Sequence, residues 1–354
     1  MRKQGIACAL LLCLLLAGCG TEYSDIAAAD GSAAVQTETG SPASQEIFAM
    51  DTYMTVTAYG ENGQKAVDAA VAEIQRLDAL LSIGSQDSEV SKLNQTGSVS
   101  LSDDAQTLVA RALELYDTTG GAFDVTVLPL MEAWGFTTEQ YRVPSDSELS
   151  ELLGKIGSDQ LTYDANSGRL TVGSGQKIDL GGIAKGYTSG RIMEIFRENG
   201  VTSGMVSLGG NVHILGDKTD GSHWRIGVQD PDDPDDIAGV LSVSDCAVIT
   251  SGGYERYFEQ DEQTYHHILD PSTGKPADSG LTSVTIVSED GTLADGLSTA
   301  LFVLGKDKAT AYWQQHSDEF DAVLIEQDGT ISVTEGIADA FSSEQEFDTI
   351  LRSE

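Results

Sequence analysis

Helical and β-rich segments alternate along this chain without the regular spacing of βαβ units, and this order constrains the fold more than any other feature. Residues 64–81 carry apolar side chains at helical spacing, which predicts an amphipathic helix. Asp328-Gly329 separates two short β-rich runs, which is a typical hairpin signal. The other predicted elements are helices at 103–116, 183–199 and 295–304 and strands at 205–208, 224–228, 240–243, 248–250, 265–269 and 281–287. The pattern predicts an α+β fold without internal repeats.

The N-terminus has the pattern of a bacterial lipoprotein signal. Arg2 and Lys3 precede an apolar run at 6–17, which is too short to cross a bilayer as a stable helix. The run ends in Leu16-Ala17-Gly18-Cys19, which resembles a lipobox, the motif whose cysteine becomes the lipidated N-terminus. The alternative is an ordinary signal peptide that a cysteine follows by chance.

The segment behind this signal is polar and acidic. Residues 20–45 are rich in Ala, Ser, Thr and Gly and contain no basic residue, so we expect a flexible tether there. The expected division of the chain is a signal peptide at 1–18, a flexible acidic tether at 19–45 and a folded domain at 46–354. The expected location is the extracytoplasmic face of the bacterial cell membrane, where a lipid such as palmitate on Cys19 anchors the protein.

The strong negative charge of the chain excludes nucleic acid as a partner. The formal net charge is −36 at pH 7, whereas a phosphate backbone requires positive charge. Anionic lipid headgroups are excluded as a charge-driven anchor for the same reason, and a ligand with phosphate groups would need a cation to bridge it. Of the four cysteines, Cys246 alone lies beyond residue 19, so no intramolecular disulfide is expected.

Glycine-containing clusters stand at the ends of predicted strands or at helix starts. Glycine lets main-chain amides approach a ligand closely, and a helix N-terminus favours an anion. No cluster matches a P-loop or the G-x-G-x-x-G pattern, and each by itself is more typical of a tight turn. Together with Lys185, they favour a ligand that carries phosphate. The clusters are 119–124, 179–187, 207–211 and 250–254.

Asp295 and Thr299 have the spacing of a metal-binding pair. They lie four residues apart in a predicted helix, so their side chains lie one above the other on one face. A carboxylate and a hydroxyl are hard oxygen donors that suit Mg²⁺, which completes its octahedron with water and substrate phosphates. The alternative is an exposed aspartate beside a threonine that bonds its own helix.

His266 and His267 precede a turn at 270–274, in a chain with five histidines. Adjacent side chains on a strand point to opposite faces, so one of the two imidazoles would face a given pocket. A base beside a rigid turn is a typical arrangement for acid/base catalysis. A pair of structural histidines is the alternative.

In this order, the motifs resemble those of the ApbE-type flavin transferases, which are FAD:protein FMN transferases. The resemblance extends from about residue 50 to residue 305, which is most of the chain. The motifs that carry it are Met50-Asp51-Thr52, Ser88-Glu89 with Leu93-Asn94, 120–124, 179–187, Gly209-Gly210-Asn211, Thr250-Ser251-Gly252, 267–274 and Ala294-Asp295 with Thr299.

The resemblance implies a fold, a substrate and a metal. The fold would be one large mixed domain with an antiparallel-rich sheet and packed helices, similar to a T-fold. Mg²⁺ would be bound by Asp295, Thr299 and a main-chain carbonyl of the turn at 181–184, that of Gly182. FAD would be the substrate, and the residues that line its site would be Met50, Ala122, Phe123, Asp124, Asp179, Lys185 and His267.

The resemblance also implies roles for the histidines and raises one question. His267 matches the family's histidine and would be the catalytic residue, with His266 as its outward neighbour. Family members often carry tyrosine at the position of Gly84, where an aromatic ring can cover the flavin. Tyr53 and Tyr187 are the alternative residues that could supply such a ring.

The implied reaction transfers FMN from FAD to a Ser or Thr hydroxyl of a target protein, forming a phosphodiester and releasing AMP. In this family the acceptors are typically subunits of membrane redox complexes. Two alternatives stay open: Mg²⁺-dependent hydrolysis of FAD to FMN and AMP, and a tethered lipoprotein that binds flavin without chemistry. The strand pattern does not show the two matching lobes typical of solute-binding proteins.

Overall fold

The computed structural model describes residues 41–353. Its helices are α1 (Gly63–Leu81), α2 (Glu89–Thr96), α3 (Asp103–Thr118), α4 (Leu128–Trp134), α5 (Asp146–Leu153), α6 (Gly181–Glu198), α7 (Gly291–Leu304) and α8 (Lys306–Gln315). Its strands are β1 (Ala43–Ala49), β2 (Thr52–Ala58), β3 (Ser98–Ser100), β4 (Thr162–Asp164), β5 (Arg169–Thr171), β6 (Gly204–Leu208), β7 (Asn211–Leu215), β8 (Trp224–Gln229), β9 (Ile237–Val243), β10 (Ala247–Gly252), β11 (Tyr257–Gln260), β12 (Gln263–His266), β13 (Leu281–Ser288), β14 (Asp321–Glu326), β15 (Ile331–Thr334), β16 (Phe341–Ser342) and β17 (Phe347–Ile350).

A nine-stranded sheet forms the centre of the molecule, in the order β1-β2-β6-β7-β10-β13-β14-β15-β17. Its neighbouring strands pair antiparallel, except for the parallel pair β15–β17. Smaller sheets are formed by β16-β9-β8, by β3-β5-β4 and by β11-β12. This arrangement confirms the expected α+β fold with an antiparallel-rich sheet.

Apolar side chains cover both faces of the central sheet. On one face, α1 and α6 pack against β2 and β6 through residues such as Ile74, Ile192 and Val206. Further along this face, α3, α7 and α8 pack against β10, β13 and β14. On the other face, β8 and β9 cover the middle of the sheet through residues such as Trp224 and Leu241. The helices are therefore held on one side of a rigid sheet, where α6 and α7 meet.

Most predicted elements are present, and two local predictions are corrected. Ser102 lies at the N-cap of α3 as expected, but its side chain makes no capping bond and its hydroxyl donates to Glu89 at 3.1 Å. The Glu89 carboxylate is a stronger acceptor than a neutral group, and it also accepts a hydrogen bond from the Ser102 amide. The strand predicted at 265–269 ends at His266, because its partner β11 begins at the opposite residue, Tyr257.

The start of the described fold lies close to the expected domain boundary. β1 begins at Ala43, slightly before residue 46, and pairs with β2 along its whole length. The predicted signal at 1–18 and nearly all of the tether lie outside the described residues. Within 41–353, no helix is long and apolar enough to span a bilayer.

Candidate functional site

Two helices, α6 and α7, cross in direct contact at the candidate site. A Cβ atom added to Gly186 of α6 would lie 2.0 Å from the Gly291 carbonyl oxygen and 2.6 Å from Asp295 Cβ. A Cβ atom added to Gly291 would lie 2.7 Å from Ser189 Oγ. Because larger residues would force the helices apart, glycine at these two positions brings Asp295 of α7 against the first turns of α6.

Asp295 is buried, and neutral donors fix both of its carboxylate oxygens. Asn211 Nδ2 donates to Oδ1 at 2.9 Å, and the Gly186 amide donates to Oδ2 at 2.8 Å. In a regular helix the Gly186 amide would bond the Gly182 carbonyl one turn earlier. Asp295 therefore reaches the same turn of α6 that holds Gly182, as the metal hypothesis requires.

Thr299 lies one turn after Asp295, and its hydroxyl faces β10. Its Oγ1 is 3.3 Å from Ser251 Oγ, which is itself 2.8 Å from Ser298 Oγ. Ser298 Oγ donates to the Asp295 carbonyl oxygen at 2.8 Å. The hydroxyl of Thr299 thus does not bond its own helix, which was the alternative interpretation of this residue.

The residues around Asp295 fit a divalent cation. Among residues 41–353 no Lys, Arg or His forms an ion pair with Asp295, and a buried carboxylate is normally paired or bound to a metal. The same described region contains no group of three or more His, Cys, Asp or Glu residues suited to a metal. The remaining ligands would be neutral oxygens, with water and substrate phosphates, which suits Mg²⁺.

His267 is held in one tautomer by the backbone of Arg256. The Arg256 carbonyl oxygen is 3.1 Å from Nδ1 and also accepts the His267 amide at 3.0 Å. Since a carbonyl can only accept, Nδ1 carries a proton, and in the neutral ring Nε2 is then the unprotonated nitrogen. Burial, with the nearby Arg256 charge, lowers the pKa of His267 to about 3. The imidazole is therefore neutral at pH 7, with a lone pair at Nε2 that can take a proton.

His266 is not the outward-facing neighbour that the sequence predicted. Its ring packs edge-on against Phe302 with the centroids 5.4 Å apart, and its Nε2 donates to the Ala277 carbonyl at 3.1 Å. Its Nδ1 is buried without a hydrogen-bond partner among the described residues. The strand ends at His266, so both rings turn into the protein and contact different partners.

Ala122, Phe123 and Asp124 are buried beside the helix crossing. The Phe123 ring lies 3.3 Å from the position of an added Gly182 Cβ, so it packs against the first turn of α6. Asp124 Oδ1 accepts hydrogen bonds from the Thr126 amide, the Thr126 hydroxyl and the Ser158 hydroxyl. Because these side chains are buried and the Asp124 oxygen already accepts three hydrogen bonds, this segment can offer a ligand its backbone more than its side chains.

Asp179 and Lys185 lie at the start of α6. Asp179 Oδ1 accepts the Gly181 amide at 2.9 Å, and burial raises its pKa although the Lys185 and Arg256 charges oppose this. Asn94 bonds both the amide and the carbonyl of Ile178 at 2.8 Å and so fixes the residue before Asp179. Within residues 41–353, Lys185 forms no ion pair within 4 Å, so its charge remains available to an anion.

Met50 approaches α6 from the hairpin turn between β1 and β2. Met50 and Asp51 both have positive φ, 48° and 60°, as a two-residue turn of this handedness requires. A methionine in this region is uncommon and strained, and such strain often marks a functional position. Its sulfur lies 3.8 Å from Thr188 Oγ1 on α6. Of the expected FAD-lining residues, Lys185 thus lies in α6, and Met50, Phe123 and Asp179 contact this helix.

Known families and proteins are similar to this chain over most of its length. The family model that describes the ApbE family matches residues 50–324. The FAD:protein FMN transferase of Treponema pallidum is 34% identical over 313 residues, which is 81% of this chain and 85% of the relative. That of Vibrio cholerae is 35% identical over 244 residues, 67% of this chain and 73% of the relative.

This chain belongs to the ApbE family.

Solved ApbE structures share the fold. The ApbE protein of Thermotoga maritima superposes with a TM-score of 0.80 at 37% identity, covering 86% of this chain and 100% of the other. The flavin transferase ApbE of Vibrio cholerae gives a TM-score of 0.74 at 27% identity, covering 85% of this chain and 100% of the other.

Three residues of this ApbE site were not assigned a role from the sequence. Asn211 holds Asp295, and Ser251 holds Thr299, although the sequence marked both as parts of glycine clusters. Glu255 follows β10, and its carboxyl interacts electrostatically with Lys185 and Asp295. Desolvation raises the pKa of Glu255 to about 7, and the positive charge of Lys185 opposes that rise. No local pattern identifies Glu255, because its partners come from distant segments.

Neither Tyr53 nor Tyr187, the two residues considered as aromatic covers for the flavin, has an unbonded ring directed at Asp295. Tyr53 is 80% exposed and pairs with Phe48, and strand alternation directs it away from Met54, which faces the helices. The Tyr187 hydroxyl donates to Asp104 at 2.6 Å. Gly84 is exposed, with Ser82 Oγ as the nearest neighbour of an added Cβ, so this ApbE chain leaves open space there.

Proposed function

We propose that this protein is a Mg²⁺-dependent FAD:protein FMN transferase that links FMN to a Ser or Thr hydroxyl of an acceptor protein and releases AMP. The observation that carries the proposal is the buried Asp295, which has no cationic partner among the described residues and lies beside Thr299 and the Gly182 turn. The transferase names of its curated relatives support the choice of reaction.

Asp295, Thr299 and the Gly182 carbonyl would hold Mg²⁺, which supplies charge stabilisation to the pyrophosphate of FAD when it is bound. Lys185 would contribute a second positive charge from the start of α6. These charges are needed because the chain carries a net charge of −36 and would otherwise repel a pyrophosphate. Met50, Asp179 and the 122–124 backbone would orient FAD against these groups.

The proton of the acceptor hydroxyl would pass to His267 Nε2. The Arg256 carbonyl keeps Nδ1 protonated, and a lowered pKa of about 3 keeps the ring neutral, so the base is present at neutral pH. The hydroxyl oxygen forms a bond to the FMN phosphorus while the bond from that phosphorus to the bridging oxygen breaks. AMP departs with the bridging oxygen, and the product is a phosphodiester.

The location and the acceptor are part of the proposal. We place the protein on the extracytoplasmic face of the cell membrane, attached through a lipid on Cys19. A tether of this composition between Cys19 and the start of β1 would let the domain reach membrane partners. The acceptor would be a subunit of a membrane redox complex that exposes a Ser or Thr hydroxyl.

The test incubates the protein with FAD, Mg²⁺ and a candidate acceptor and then resolves the products on a denaturing gel. We expect flavin fluorescence that migrates with the acceptor, release of AMP in equal amount, and loss of both when Mg²⁺ is chelated. Changing the acceptor's Ser or Thr to Ala is the matched control. Free FMN and AMP without labelled acceptor would instead identify a hydrolase, and unchanged FAD would identify a binding protein.

A further inference from the structure

Three hydroxyl groups, those of Ser298, Ser251 and Thr299, form a chain of contacts that begins at the main-chain carbonyl of Asp295. Ser298 Oγ lies 2.8 Å from the Asp295 carbonyl oxygen, Ser251 Oγ lies 2.8 Å from Ser298 Oγ, and Thr299 Oγ1 lies 3.3 Å from Ser251 Oγ. Ser298 is fully buried, so water does not compete for its hydroxyl.

The directions of these hydrogen bonds follow from the chemistry of the end group. A carbonyl oxygen can only accept, so the single hydroxyl proton of Ser298 is donated to the Asp295 carbonyl. Ser251 must then donate its own proton to Ser298. Thr299 must in turn donate to Ser251, because no other proton is available for that contact. The Thr299 proton thus points to β10, and its lone pairs remain free.

Thr299 would behave differently without Ser251. A helical threonine chooses between two rotamers because its hydroxyl can bond the carbonyl three or four residues back, and four residues back from Thr299 is Asp295. The Asp295 carbonyl already accepts Ser298, and within residues 41–353 the Thr299 hydroxyl bonds no other group than Ser251. Ser251 therefore holds the rotamer in which Oγ1 leaves its own helix.

We propose that Ser251 is a positioning residue that turns the Thr299 hydroxyl so that its lone pairs face the cation held by Asp295. This inference rests on the proposed metal-dependent function and adds a residue to it. Ser298 fixes the direction of the proton chain, and Ser251 transmits that direction from the Asp295 backbone to the second ligand. Partners of this kind around metal ligands typically change metal affinity or activity by about 10–100-fold when removed.

The experiment measures the dissociation constant of Mn²⁺ by electron paramagnetic resonance, with FAD present and no acceptor, in the full chain. Mn²⁺ is the probe because it binds the same oxygen donors as Mg²⁺. We expect Ser251→Ala to weaken Mn²⁺ binding roughly tenfold. Ser251→Thr, which keeps a hydroxyl, should restore most of the affinity. Thr250→Val is the matched control, because Thr250 bonds Thr285 on the opposite face of β10.

A double-mutant cycle separates positioning from a general structural role. In a Thr299→Ala background, Ser251→Ala should cause no further loss of Mn²⁺ affinity, because the hydroxyl that it positions is gone. An equal loss in both backgrounds, or wild-type affinity in Ser251→Ala, overturns the inference. If Ser251→Ala does not fold, Ser298→Ala is measured in its place. Without the Ser298 hydroxyl, the Ser251 proton can point at Thr299, so this variant should also bind Mn²⁺ more weakly. Unchanged Mn²⁺ affinity in Ser298→Ala overturns the inference.

The outcomes for this inference and for the function are distinguishable. FMN transfer by the wild type together with unchanged Mn²⁺ affinity in Ser251→Ala refutes the positioning role and leaves the function intact. Absence of FMN transfer by the wild type refutes the function, whatever the Mn²⁺ result. A wild type that binds no Mn²⁺ refutes the metal site and the positioning role together.

Discussion

A single methyl group at the α6–α7 crossing should destabilise the protein and disturb the proposed metal site. In Gly186→Ala the new Cβ would lie 2.0 Å from the Gly291 carbonyl oxygen and 2.6 Å from Asp295 Cβ. Both neighbours belong to a buried helix, so neither can rotate away and the helices must separate. Overpacking of this kind costs about 1–3 kcal/mol, and a contact with a backbone atom belongs at the upper end of that range.

The same helix offers a matched control. Gly190 lies one turn after Gly186 on α6, and a Cβ atom added there has no neighbour within 4 Å. Replacing a helical glycine by alanine without a clash gains about 1 kcal/mol. We therefore expect the two variants to differ by about 2–4 kcal/mol in the free energy of unfolding.

Urea unfolding at pH 7 followed by circular dichroism measures this difference. Gly186→Ala should also weaken Mn²⁺ binding, because the Gly186 amide that donates to Asp295 moves with the helix. Equal unfolding free energies for Gly186→Ala and Gly190→Ala would refute the close helix crossing.

Other predictions concern the histidines and the N-terminus. His267→Ala should slow single-turnover FMN transfer by about 10²–10⁴-fold with little change in FAD affinity, whereas His266→Ala should lower thermal stability and leave the rate nearly unchanged; the reverse pattern would contradict the assignment. Burial lowers the pKa of His213 to about 4. As the pH falls below 6.5, this imidazole takes up a proton in the unfolded chain but not in the folded one, so the free energy of unfolding decreases. Between pH 7 and pH 5 the loss should be about 2 kcal/mol by urea unfolding, and His213→Gln should remove this part of the pH dependence. Cys19→Ala should no longer fractionate with membranes as a processed protein, and an unchanged, cleaved membrane species would contradict lipid anchoring.

The features that the sequence predicted correctly are local. The i, i+4 pair Asp295 and Thr299 lies on one helix face because helical spacing alone determines this. Helices α1, α6 and α7 and the hairpin of β14 and β15 follow from apolar periodicity and turn residues. The family resemblance supplied the expected roles of these residues, and the structure bonds Asp295 to the Gly186 amide, one helical turn after Gly182.

The features that the sequence did not predict depend on distant segments. The bonds from Gly186 and Asn211 to Asp295 join residues 109 and 84 positions apart, and no local pattern encodes such a pairing. The hydroxyl chain from Ser251 to Thr299 depends on the packing of α7 against β10. His266 was assigned outward because alternation was extended past the end of its strand. Local rules thus locate Asp295 and Thr299, while tertiary packing decides the orientation of their side chains.

The most direct test of the account compares FMN transfer by Asp295→Asn and Asp290→Asn over a titration of Mg²⁺. Asp290 caps α7 through the Thr292 and Leu293 amides, and asparagine is an equally good cap, so this control keeps the helix while removing one carboxylate. We predict that Asp290→Asn transfers FMN with the Mg²⁺ dependence of the wild type. Asp295→Asn should transfer none at any Mg²⁺ concentration while still unfolding cooperatively. Transfer by Asp295→Asn at the wild-type rate and Mg²⁺ dependence would contradict the central claim that this carboxylate holds the metal for the reaction.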